Sequence, residues 1–124
     1  MIHALGGDNM LNEVSIRDSI LKSICDKLDS RDFTVFYDDI IDRINAAFAF
    51  CHQFGVGPKD GFEITSENDK WSDYETKSKT ELNLVKGFIA AKVKMEFDPP
   101  TTGPMLNALS ETIAEYEWRI TNNR

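Results

Sequence analysis

At 124 residues the chain has the length of one domain, and a domain of that size buries roughly two-thirds of the surface its unfolded form exposes. A hydrophobic share of 41% and a charged share of 28% exclude a disordered class, and no apolar run approaches the ~20 residues that span a bilayer. The formal net charge of -7, from 21 acids against 14 bases, argues against gripping nucleic acid, because neutralising phosphates needs a basic face. Such a surface suits one that DNA passes without sticking.

The first ten residues carry Gly6-Gly7 and no periodicity, so residues 1–11 read as an arm that is loose unless a partner orders it. They lack the basic start and apolar centre of a secretory signal, and folding in a cytoplasm, or in something assembled there, is the expectation. Ile16, Ile20, Ile24 and Leu28 then recur every four residues with Leu21 and Cys25 beside them. That spacing predicts a first helix over 15–28, with Ser15 as its cap. A polar break at 29–32 follows. Ile40, Ile41, Ile44, Ala47, Phe48 and Cys51 form the stripe of a second helix over 36–54, stopped at Gly55-Val56-Gly57-Pro58.

Between residues 59 and 78 the helical period disappears and acids accumulate, leaving Phe62, Ile64, Trp71 and Tyr74 as isolated apolar anchors. Phe62 and Ile64 alternate with Glu63 and Thr65, which suggests a short strand or extended arm. Ser78-Lys79-Thr80-Glu81 has the serine and glutamate of a capping box and opens a third helix over 79–97. Leu82, Val85, Ile89 and Val93 make one stripe of it, and Leu84, Phe88, Ala91 and Met95 a second, so it should be contacted on more than one side. Asp98-Pro99-Pro100 ends it. Thr101-Thr102-Gly103-Pro104 offers a cap for a fourth helix over 104–121, whose seam is Leu106, Leu109, Ile113, Tyr116 and Ile120. The expected fold is mainly α: one domain over 1–124, a small bundle of about four helices with a long connector or short extended arm between the second and third.

Chemistry is hard to find in this pattern. Cys25 and Cys51 are the only cysteines, sit among apolar neighbours and read as buried free thiols. Cys51 and His52 point about 100° apart on a helix and cannot easily share one metal ion. No serine or cysteine is arranged for His52 to activate. The carboxylate pairs Asp38 with Asp42 and Glu111 with Glu115 lie opposite apolar stripes, where a solvated face is the ordinary meaning. Gly55-Val56-Gly57 lacks the third glycine and the lysine of phosphate-binding loops. No enzyme, metal or cofactor is therefore expected. Trp118, Arg119, Phe50, Trp71 and Tyr74 are the candidate protein-interface residues, because large rings and arginine are enriched where proteins meet; Trp118 lies off its helix's seam and Phe50 off its main stripe.

Phe97-Asp98-Pro99-Pro100 after an apolar helix and Tyr116-Glu117-Trp118-Arg119-Ile120 near the end of the next one form a pattern, joined by Asn45-Ala46-Ala47-Phe48, Phe54-Gly55-Val56-Gly57-Pro58, Gly61-Phe62 and Trp71. It resembles the small head-tail connector (adaptor or neck) proteins of long-tailed bacteriophages and covers residues 40–120. The 1–11 leader, Gly87 and Lys92 depart from it. The resemblance implies a virion structural protein at the head-tail junction. It implies a homo-oligomeric ring, twelvefold like the portal, bridging the portal protein to the next neck or tail protein, with DNA passing through unread. The same composition would also serve an acidic soluble binding module or DNA-mimic inhibitor of a host enzyme. A small hydrolase would require two buried carboxylates with raised pKa.

Overall fold

The computed structural model describes residues 17–28 and 33–122; the expected arm over 1–11, the Ser15 cap and the break at 29–32 lie outside them. The described residues form four α-helices and no strand: α1 (Ile20–Asp26), α2 (Tyr37–Gln53), α3 (Lys79–Phe97) and α4 (Gly103–Asn122). Short 3-10 turns stand at Thr34–Phe36 and Trp71–Asp73. The protein is a small, mainly α bundle, and α3 is its centre, packed on α4, on α2 and, more lightly, on α1. Val85, Phe88, Ile89 and Val93 of α3 are fully buried, as its two stripes require.

Local signals set most of the helix ends. At the end of α2 the Gly55 N–H donates to the His52 carbonyl at 2.9 Å and the Val56 N–H to the Cys51 carbonyl at 3.0 Å. This is the paired Schellman closure, with Gly55 at φ 79° in the left-handed position that glycine tolerates and Val56 buried as its apolar partner. At the start of α3 the Ser78 hydroxyl accepts from the Glu81 N–H at 3.1 Å, while the Glu81 carboxylate accepts from the Lys77 N–H at 3.0 Å, one residue before the expected return bond. For α4, the Thr102 carbonyl takes the Leu106 N–H at 3.0 Å.

The first helix expected over 15–28 is broken at Ser19 and ends at Asp26. Ser19 is extended at φ -66°, ψ 123° and caps α1 by accepting from the Lys22 N–H. Ser19 also forms an isolated antiparallel bridge with Lys70, its hydroxyl donates to the Glu67 carbonyl at 2.7 Å, and the Ile20 N–H donates to the Asp69 carbonyl at 3.0 Å. Arg17 and Asp18 are helical again, so the expected helix is interrupted at Ser19, where the distant connector claims the backbone of Ser19 and Ile20.

That connector, residues 59–78, has little regular structure yet is firmly seated. Asn45 of α2 pairs with both backbone groups of Ile64, its Nδ2 donating to the carbonyl at 2.9 Å and its Oδ1 accepting from the N–H at 2.7 Å. A side-chain amide thus stands where a neighbouring strand would, and the expected strand is extended chain without a sheet. Phe48 gathers the connector's rings, with centroids of Phe62 at 5.0 Å, Tyr74 at 4.8 Å and Trp71 at 6.0 Å. Gly57, at φ 91°, makes room: a Cβ there would stand 2.6 Å from the Tyr74 hydroxyl oxygen.

Candidate protein interface

The candidate interface residues separate by burial. Trp71 and Tyr74 are 3% and 4% exposed. Their rings complete the Phe48 cluster, and the Trp71 Nε1–H donates to the Ser23 hydroxyl at 2.8 Å, so both rings serve the core first. Phe50 is half-buried at the core edge, against Phe54 at 4.7 Å and stacked on Phe88 at 5.3 Å, with the Lys92 ammonium 6.0 Å above its ring. Trp118 alone of the large rings singled out stands clear of the chain, 67% exposed. Arg119 beside it is exposed, and its Nη2 and Nε donate to one Glu115 carboxylate oxygen at 3.0 and 3.3 Å. A pair so open to water holds the fork in place on the helix but adds little stability.

These two residues belong to a wider feature of α4. Of its seam, only Ile113 and Ile120 are buried; Leu109 and Tyr116 are half-covered and Leu106 is 38% exposed. Tyr116 fits where α3 carries Gly87, since a Cβ at Gly87 would stand 2.7 Å from the Tyr116 Cε1. The first half of α4, residues 103–112, is exposed at every position but Leu109, with Met105 at 62%. The seam therefore continues past the point where the described residues bury it.

Val35, 85% exposed, and Phe36, 46% exposed, were not singled out by the sequence. Phe36 lies edge-on to Phe97 at 5.5 Å, so the pair sits at the α3 end from which α4 departs. The signal available was the run Phe33-Thr34-Val35-Phe36-Tyr37, more apolar residues than a short turn can bury.

The two thiols are held protonated by burial. Burial pushes the Cys25 thiol up to about 11, and burial, then the Glu81 carboxylate, pushes Cys51 up to about 12, so neither is a ready nucleophile. Burial, with Cys51 and Glu81 adding to it, raises Tyr74 as well. Asp38, Asp42, Glu111 and Glu115 are all exposed, as solvated faces are. Among the described residues no group of three or more His, Cys, Asp or Glu side chains could hold a metal ion, and no helix is long and apolar enough to cross a membrane.

What the molecule offers is surface. A family model described as phage connector protein matches residues 20–124, which takes in all four helices. No curated protein and no solved structure matches the chain. With a family match over most of its length, on a helical bundle whose last helix presents uncovered apolar side chains, the chain belongs to the phage connector proteins.

Proposed function

We propose that the protein is a ring subunit at the head-tail junction of the virion, joining the portal to the next neck or tail protein while DNA passes through the ring. The carrying observation is Trp118, a large ring left 67% exposed on a helix of which Ile113 and Ile120 are the buried residues. Membership of the connector family agrees with a structural component that associates with other head-tail proteins. A ring closed by rotation needs two different patches on each subunit, and Trp118 with Arg119 at one end of α4 and Val35, Phe36 and Met105 toward the other give two separate apolar groups. The net charge of -7 suits a lining along which packaged DNA slides, since no phosphate contacts must be broken. A twelvefold ring matching the portal, assembled in the host cytoplasm, follows from the same reading, as does a role without catalysis or cofactor.

The test is Trp118→Ala, followed by thermal unfolding and sedimentation together. Stability should stay within about 0.5 kcal/mol of the parent, as for an exposed residue, while assembly with itself or with a portal weakens by more than ~2 kcal/mol, as for an interface anchor. Unchanged sedimentation in the presence of portal would refute the role of Trp118, and images of parent protein with portal that show no ring would refute the function.

A further inference from the structure

An acidic protein carries a basic cleft. Arg17, Lys27 and Lys86 line a depression of about 260 Å³ beside Trp71, with Asp26 the only acid on its wall among the described residues. The Lys86 ammonium lies 5.4 Å from the Trp71 ring centroid, which holds that cation at the cleft by attraction to the ring face. None of the three cations has a salt bridge to a described carboxylate. The nearby charges are already engaged: Lys22 with Glu67 at 3.4 Å, and Asp18 with the Ser72 N–H and hydroxyl.

The opposite flank has the complementary character. Glu111, Glu115 and Trp118 follow one another at i, i+4 and i+7 on α4 and all are exposed, so they form one outward stripe. Glu115 holds Arg119, whereas Glu111 has no cation among the described residues. Leu84 of α3 lines one depression together with Tyr116 and Arg119 of α4, and Lys86, two residues on, points about 160° away from Leu84 around the helix. Cleft and stripe therefore flank α3 on opposite sides.

We propose that the cleft formed by α1, the Trp71–Asp73 turn and Lys86 receives the Glu111-Glu115-Trp118 stripe of α4 from a second copy of this chain. The inference rests on the ring reading and supplies its seam. Head-to-tail closure requires different, complementary surfaces on the two sides of a subunit. Three cations with no described carboxylate partner, facing a glutamate with no described cation, supply attraction and register, and covering Trp118 supplies the anchor. Duplex DNA fits less well, because Asp26 stands in the cleft and a gripped phosphate backbone would not slide.

The experiment is sedimentation of the full chain at low and high salt, with Lys86→Glu, Lys27→Glu, Glu111→Lys and the double variant Lys86→Glu/Glu111→Lys. The parent should associate at low salt and less at high salt. Each single reversal should weaken association about tenfold or more, and the double variant should recover much of it. Thermal unfolding separates lost contact from lost fold, and Lys27→Glu, which leaves the Trp71 ring contact untouched, keeps the test open if Lys86→Glu unfolds. A parent that stays monomeric at every salt, reversals without effect, or a double variant no better than the singles would overturn the seam. So would duplex DNA bound by the parent and released by Lys86→Glu with self-association unchanged. The connector reading fails by a different result, a parent chain that neither binds portal nor enters tailed particles.

Discussion

Asn45 is one side chain satisfying two backbone groups of a residue nineteen positions away. Asn45→Ala leaves the Ile64 N–H and carbonyl to whatever water reaches them, at an expected cost of about 1–3 kcal/mol in urea unfolding. A loss within measurement error would mean water replaces both bonds. The thiols make a prediction of opposite character. Both keep a proton in the folded chain that the unfolded chain releases near 9.0, with folded values of about 11 for Cys25 and about 12 for Cys51. Their contribution to stability is therefore full below about pH 9 and lost as pH rises through those folded values. Unfolding midpoints should fall across this window, and less steeply in Cys51→Ala. At this scale the sequence was read unevenly. Burial of the two cysteines followed from their apolar neighbours. Burial of Trp71 and Tyr74 did not, because an aperiodic segment gives no face to assign, and only the Phe48 cluster shows where those rings go.

Among the elements, three helices lie within about a residue of their expected ends because the stop signals act locally: Gly55 and Val56, Ser78 and Glu81, Pro99 and Pro100. The start of α1 is fixed instead by Ser19 meeting residues 67–70, a contact no local pattern encodes. The α3–α4 contact depends on Gly87. Gly87→Ala gains up to ~1 kcal/mol of helix propensity but drives a Cβ into the Tyr116 ring, where overpacking costs roughly 1–3 kcal/mol. A net loss of stability is expected. In the double variant Gly87→Ala/Tyr116→Ala the two losses should sum to less than their separate values, because removal of the ring removes the clash. Strict additivity in that cycle would show that the ring swings aside freely.

On the scale of the molecule, the candidate site was legible as a residue and illegible as a surface. Trp118 could be picked out because it falls off a regular seam, whereas the basic cleft joins residues 17, 27 and 86 and exists only once α1 has folded against α3. The exposed first half of α4 has a consequence for observing assembly in time. Amides along residues 103–112 sit in a half-helix that is exposed at every position but Leu109 among the described residues, so they should open locally and exchange with deuterium far faster than those of the buried Val85 to Val93 stretch. If neighbouring subunits or the portal close over this segment, its amides should slow selectively on assembly while the α3 amides hardly change. Mass spectrometry of the exchanged peptides would then time the formation of the junction from within the protein. Equal exchange in free and assembled states would mean that this half-helix stays uncovered in the finished particle.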